Sequence, residues 1–536
     1  MNSGRLQRLW LATAAVCAAG GCLGERSTGP QLAGTVTLAA SQFGLFTGSQ
    51  AGLELRFPSA DTGGAQYLLV GQLATSDPDL SAAFDLVGGQ ASTMLAAARV
   101  APRTPGAARR FHDNLRRLDA AAALASRGSR PFAAPPARTG PPAPGSFRAF
   151  RVCADLNCRS TALVNATVQY VGTHAAIYVD TLSPAGGYAA ADLQRLGAQF
   201  DSVLYPIATA AFGAPTDVDN NGLVLVVLTP QVNALTPSDQ CGSLITGYFL
   251  GADLAPATRA VYNDGEIFYG LVADANGAAG CAVLTATALS LVAPTFIHEF
   301  QHMISFGQHV LARGGAAEVL WLNEGLSHLA EELAGRHYDS LGADSVASTF
   351  LLNDLFDAYL YMQTPSGNPM VTTAGPGTLE ERGGEWLFVR YLVDRFGAGV
   401  TQQLEQTPLV GADNVVAVTG TPFATLLGRW ALALYVSDLP GLTPDSALTY
   451  KAWAFRTTFP ALNQQYPQFF TRTFPLIPAT AASGAFSLLD VVSSGSGTYL
   501  IVTQPPSGQA FTITFTVQST GSNTSPDPQL AIVRLR

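Results

Sequence analysis

His298-Glu299-Phe300-Gln301-His302 sets two imidazoles and a carboxylate within one short segment, with Phe296 and Ile297 before it and Met303 and Ile304 after it. That apolar surround predicts a helix. Helical residues i and i+4 lie one turn apart on one face, so His298 and His302 can hold a single zinc ion while Glu299, beside that face, serves a metal-bound water as general base. The competing reading is a surface helix with two unrelated histidines. A catalytic zinc usually takes a third protein ligand and keeps one position for water. Glu324 is the candidate, in Trp321-Leu322-Asn323-Glu324-Gly325-Leu326-Ser327, where a second apolar-periodic stretch begins and runs through Leu329 and Leu333. A helix packed across the first would deliver its carboxylate. The longer HExxHxxGxxH pattern is excluded, because Ser305 and Gln308 stand where it needs Gly and His. His309 misses that ligand position by one residue, about 100° around a helix, and is read as a surface residue. His174 and His337 likewise lack partner spacing.

These strings resemble the gluzincin clan, in which HExxH is followed by a helix bearing a glutamate ligand. Asn323-Glu324 with Ser327 is similar to the N-E-x-x-S of thermolysin-like enzymes, and Trp321-Leu-Asn-Glu-Gly325 resembles the W-L-N-E-G of the aminopeptidase-N-like branch. The chain has no G-x-M-E-N segment, the amino-terminus-binding signature of those aminopeptidases, which favours an endopeptidase. His298-Glu-Phe-Gln-His-Met-Ile304 and Trp321-Leu-Asn-Glu-Gly-Leu-Ser-His328 together resemble the hyicolysin family of bacterial secreted neutral metallopeptidases, strongest from about residue 153 to 396. The resemblance implies zinc on His298, His302 and Glu324, with Glu299 catalytic and protein or peptide substrates. His328 stands where thermolysin-like enzymes carry an Asp that orients a ligating histidine, so Glu331 or Glu332 is expected to take that part. Tyr338, Tyr359, Tyr361 and Tyr391 are candidate donors to a tetrahedral oxyanion; each has the plain alternative of a core or surface tyrosine.

Such residues need a scaffold, and 536 residues suffice for several folded units. The pattern reads as an α/β zincin-type catalytic domain, a mixed sheet plus active-site helices with a helical subdomain behind, flanked by small β-sandwich-like modules. Strands are expected at Leu53 to Phe57, Tyr67 to Val70, Ala83 to Val87, Ala176 to Val179, Leu223 to Leu228, Thr498 to Val502 and Phe511 to Val517. Tyr67-Leu-Leu-Val-Gly-Gln72 and Tyr499-Leu-Ile-Val-Thr-Gln504 are alike, which hints at two related β-modules. The expected division is a signal peptide over 1–22, a β-rich module over 32–98, a Pro/Ala/Arg-rich linker over 99–148, the catalytic domain over 149–335, the helical subdomain over 336–475 and a second β-rich module over 484–536. Within the linker a helix is expected around Phe111 to Ala125, and Arg103, Arg109, Arg110, Arg116, Arg117, Arg127, Arg130 and Arg138 are read as solvated.

Arg5 and Arg8, an apolar run from Leu9 to Ala19 and small residues up to Cys22 form a secretory signal pattern. Ala19-Gly20-Gly21-Cys22 resembles a bacterial lipobox, so Cys22 is expected to carry a lipid and tie the chain to a membrane outside the cytoplasm, a plain signal peptide being the alternative. Cys153, Cys158, Cys241 and Cys281 favour disulfides in that compartment, most simply Cys153 with Cys158 and Cys241 with Cys281. The formal charge of −9 argues against nucleic acid as a partner. Asp217-Val-Asp219-Asn-Asn221-Gly222 resembles the first half of a calcium loop, with an ordinary Asp/Asn/Gly turn as the alternative. The functional expectation is a secreted, lipid-anchored zinc endopeptidase. Its rivals are an adhesion lipoprotein with an inactive zincin centre and a zinc aminopeptidase.

Overall fold

The structure, a computed structural model, describes residues 31–48, 52–89, 94–96, 106–128, 140–373, 377–518 and 528–536. The amino-terminal apolar run, Cys22, Arg103, Arg130 and Arg138 lie outside them. The described chain opens with strands β1 (Gln31–Thr35), β2 (Phe43–Thr47), β3 (Leu53–Phe57), β4 (Ala65–Leu73), β5 (Ser81–Gly89) and β6 (Met94–Ala96). Helix α1 (Ala107–Ala125) follows, then β7 (Phe147–Cys153), β8 (Thr161–Val171), β9 (Ala175–Asp180), α2 (Ala190–Gln199) and α3 (Tyr205–Phe212). Next come β10 (Val224–Leu228), α4 (Pro230–Asn233), β11 (Gly247–Phe249) and β12 (Ile267–Gly270). The helical part holds α5 (Thr285–Phe306), α6 (Leu320–Ser340), α7 (Asp344–Gln363), α8 (Leu379–Phe396), α9 (Gly399–Glu405), α10 (Gly411–Thr419), α11 (Phe423–Val436) and α12 (Phe455–Gln465). Strands β13 (Ala479–Ala482), β14 (Ala485–Ser493), β15 (Gly497–Gln504), β16 (Phe511–Val517) and β17 (Pro528–Arg534) close it. The whole is mixed α/β.

The expected pair of flanking β-modules is a single sandwich. One sheet has the order β1-β3-β16-β5-β14-β6 and the other β13-β15-β4-β17-β2, so strands from both ends of the chain are interleaved in each. The two alike segments are neighbours: β4 and β15 pair antiparallel with Tyr67 opposite Val502 and Val70 opposite Tyr499. Their shared apolar run has a physical cause, since successive strand residues point to opposite faces. Leu69, Leu500 and Ile532 enter the sandwich interior, whereas Leu68, Val70 and Val533 join the helical core on the other side of that sheet. A strand buried on both faces has no position for the polar alternation of a half-exposed one.

The central sheet runs β11-β12-β10-β9-β8-β7, with β9, β10 and β12 parallel and β11 antiparallel at its edge beside α5. The proposed boundary at residue 335 falls inside α6, and one continuous core joins the sheet to the helices on both sides of it. The expected linker differs most. Its helix is docked, with Phe111, Leu115, Arg116 and Asp119 buried: Arg116 pairs with Asp119 and the Phe249 carbonyl and Arg109 with the Gly377 carbonyl, whereas Arg110, Arg117 and Arg127 are exposed as expected. Cys153 is bonded to Cys158 and Cys241 to Cys281. Among the described residues no single helix is long and apolar enough to cross a membrane.

Candidate metal centre

Helix α5 carries His298 and His302 one turn apart, their ring centroids separated by 4.8 Å. Helix α6 crosses it and brings Glu324 to them: Oε2 lies 3.5 Å from His298 Nε2 and Oε1 lies 3.5 Å from His302 Nε2. Ligand atoms about 2.0–2.2 Å from a tetrahedral zinc stand roughly 3.4 Å from one another. Among the described residues neither oxygen of the buried Glu324 makes a hydrogen bond; the Arg382 guanidinium stands 3.1 Å from Oε2, and a metal ion between the imidazoles would complete the carboxylate. Glu299 also approaches both imidazoles, within 4.8 Å. Its Oε2 accepts the Phe249 N–H at 3.0 Å, so Glu324 is the better ligand and Glu299 the better base. The residues fit a zinc ion.

The second layer fixes the imidazoles. His298 Nδ1 bonds Glu331 Oε1 at 2.7 Å and His302 Nδ1 bonds Asn323 Oδ1 at 3.0 Å, which turns each Nε2 toward Glu324, with Ser327 Oγ also 3.2 Å from His302 Nε2. Between Glu331 and Glu332, the two expected candidates, Glu331 is the one that reaches. Glu332 instead accepts from the indoles of Trp386 and Trp453. His328 Nδ1 bonds Asp354 Oδ1 at 2.8 Å. Ser327 Oγ donates to Gln301 Oε1 at 2.6 Å, and Gln301 Nε2 donates to Glu405 Oε1 at 2.5 Å, so the middle of the motif is clamped as well.

Charge in the site follows from burial. Burial opposes ionisation of Glu324, but the Arg382 guanidinium at 3.1 Å and the two imidazoles outweigh it and hold the carboxyl well below its usual range. Burial, followed by the Arg116 charge, pushes His302 down to about 3, leaving the neutral imidazole a metal requires. Burial also raises Glu299 to about 7, against the pull of His298 and Arg116. Arg382 gains its place from the start of α8, where Thr378 and Glu381 cap each other's backbone N–H groups. A cavity of about 690 Å³ opens beside the ligands, lined by His298, Glu299, His328 and Arg382 and walled by Pro294 of α5 and Asp357 of α7.

Several expectations fall elsewhere. His309 is fully buried, not a surface residue; its ring lies 3.4 Å from Glu405 and 3.8 Å from Glu318, behind the motif and away from the cavity. None of the four tyrosines lines the cavity: Tyr338 bonds Gln199, Tyr359 accepts from Arg472 N, Tyr361 bonds Ser496 and Tyr391 donates to Ala447 O. Asp217 and Asp219 come together with Glu266, which sequence spacing could not supply, whereas Asn221 bonds Asp219 and Leu223 N within its own turn. Arg382, His112, Arg116 and Asp354 at the centre also carry no motif signal.

No family model matches the chain. The chain is similar to a neutral metalloprotease. Over 204 residues it is 26% identical to the neutral metalloprotease ShpI of Staphylococcus hyicus, an alignment covering 33% of this chain and 43% of that protein. The chain therefore spans less than half of that metalloprotease's length. The likeness suggests a metalloprotease with a metal cofactor, commonly zinc, at the level of class.

Proposed function

We propose that the chain is a zinc-dependent endopeptidase of zincin architecture, exported and anchored through Cys22. The carrying observation is the meeting of His298, His302 and the buried Glu324 at 3.5 Å spacings, with Glu299 next to them at a cavity. The bound ion would supply Lewis acidity and a water of lowered pKa. The chain's own groups then have distinct tasks. Glu331 and Asn323 hold the Nδ1 of each ring, so that Nε2 is the atom each would offer to the ion. Arg382 balances the Glu324 carboxylate. Glu299, raised toward neutrality, takes a proton from the attacking water and returns it to the leaving amine. The amino-terminal signal pattern and the two disulfides support an oxidising, extracytoplasmic setting. Substrates are proteins or peptides, cut internally, in keeping with the missing G-x-M-E-N segment.

The test compares metal content and casein hydrolysis in the purified chain and its Glu299→Gln variant. The variant should keep about one zinc per chain and lose at least about 100-fold in rate. A wild-type protein that holds zinc yet cuts neither casein nor a blocked peptide sinks the endopeptidase reading. Absence of zinc sinks the ligand set.

A further inference from the structure

Helix α1 brings to the centre side chains that the proposed hydrolysis leaves without a task. Glu299 is buried, at 0% exposure, in the wall of the cavity. Its Oε2 accepts the Phe249 N–H, with the Arg116 guanidinium 3.9 Å away, and its Oε1 faces His112 Nδ1 at 3.3 Å. A general base needs water on one side and a scissile bond close by. Here Oε2 is taken by the chain's own backbone, while Oε1 makes no hydrogen bond among the described residues and has His112 of α1 as a close neighbour.

The cleft around the ligands is correspondingly lopsided. On one side lies the cavity of about 690 Å³, with Ala108, Arg109 and His112 forming its wall. Beyond His302, toward Phe306 and Glu318 behind the motif, Arg116 and Asp119 leave a void of only about 10 Å³. Strand β11 is the edge of the central sheet, so among the described residues the rim it presents has no strand partner. Side chains of α1 take that rim: Arg116 Nη2 donates to the Phe249 carbonyl at 3.2 Å and Gly251 N–H donates to Asp119 Oδ1 at 2.6 Å. An extended peptide added to a sheet edge uses such N–H and C=O groups. The helix is also anchored, by Phe111 edge-on to Tyr248 at 5.1 Å and by Arg109, which donates to the Gly377 carbonyl.

We propose that α1 is an inhibitory segment carried within the chain: its Arg116 and Asp119 occupy the backbone groups at the β11 rim where an extended peptide would pair, and it must move before a polypeptide can be cut. The proposal rests on the peptidase reading of the site. The test uses the zinc-loaded full chain, its Arg116→Ala/Asp119→Ala double variant, and Phe111→Ala, which loosens the helix at an apolar anchor. The probe is a short peptidyl hydroxamate, whose binding reports access to the metal and edge strand without any catalysis; amide exchange over 107–125 is followed in parallel. A ligand that binds only the open form has its apparent affinity cut by the closed fraction, so affinity should tighten at least about tenfold in both variants. Exchange in α1 should quicken while the other helices stay protected, and blocked-peptide cleavage should rise with the affinity. Unchanged or weaker hydroxamate binding overturns the proposal, and a fall in cleavage alongside it would make His112 and Arg116 parts of the substrate site. Tighter binding without any cleavage leaves the occlusion standing and removes the peptidase reading instead.

Discussion

His298 can offer Nε2 to a metal only while Nδ1 keeps its proton, and Glu331 Oε1 holds that proton at 2.7 Å. Glu331 also lies 3.2 Å from His328 Nδ1, and the two imidazoles keep its carboxyl ionised against the effect of burial. Replacing it by Gln keeps the shape and removes the charge. Outer partners of metal-bound histidines are typically worth 10–100-fold in affinity, so Glu331→Gln should weaken zinc binding by about that factor with thermal unfolding of the metal-free chain little changed. A competition titration against a chelator measures it, and an unchanged affinity would show that His298 needs no anionic partner. At this scale the sequence is most legible where helix periodicity does the placing. His298, Glu299 and His302 are fixed by the i, i+4 rule, and Glu324 follows once a second helix is granted. Arg382 and Asp354 come from helices whose packing no local pattern reveals. His309 is buried for a related reason: an angle around a helix says which face a side chain takes, not whether Glu318 and Glu405 stand there to bury it.

Helices α6, α7 and α8 approach one another closely because glycines stand at their contacts. A Cβ on Gly383 of α8 would overlap the Asp357 carbonyl of α7, and one on Gly325 of α6 would sit 2.7 Å from the Glu385 carbonyl of α8. Both obstacles are backbone, which cannot rotate away. Gly383→Ala should therefore cost about 1–3 kcal/mol or more of stability despite the better helix propensity of alanine. Because Arg382 is the preceding residue, the variant should also weaken zinc binding; denaturant unfolding with and without zinc reads both effects. A stability equal to wild type would mean that the α7–α8 contact is looser than its geometry. The existence of these helices is plain from apolar spacing, but their closeness is not, since a glycine in a helix reads equally as a weak point. Helix α1 illustrates the opposite difficulty. Its arginines look solvated by composition, yet Arg116 is buried through Asp119 and the Phe249 carbonyl, partners far away in sequence or invisible until the chain folds.

At the scale of the molecule, the two ends of the chain are one structure. Strand β4 lies between β15 and β17, and β5 lies between β14 and β16, so each central amino-terminal strand is flanked on both sides by carboxyl-terminal ones. Strand residues were legible one segment at a time because β-branched and aromatic runs announce themselves. Partnership across some 400 residues was not, because a strand's alternation specifies which face is buried and says nothing about which chain segment buries it. The sandwich also touches the helical body, where Tyr499 donates to the Ala431 carbonyl of α11. Two independent modules would tolerate loss of one. The interleaved sheets predict otherwise: a chain ending at residue 478 would leave β4 and β5 without either neighbour and expose the sandwich interior formed by Leu69, Phe84 and Leu86. Unpaired apolar strands of that kind aggregate or are digested. Truncation at 478 should thus yield a chain from which limited proteolysis strips residues 31–96, with a lowered unfolding temperature for what remains, since the apolar face that α11 packs on the sheet goes with it. If residues 31–96 instead stay protected after the truncation, the amino-terminal strands fold without their partners and the single-sandwich architecture is wrong.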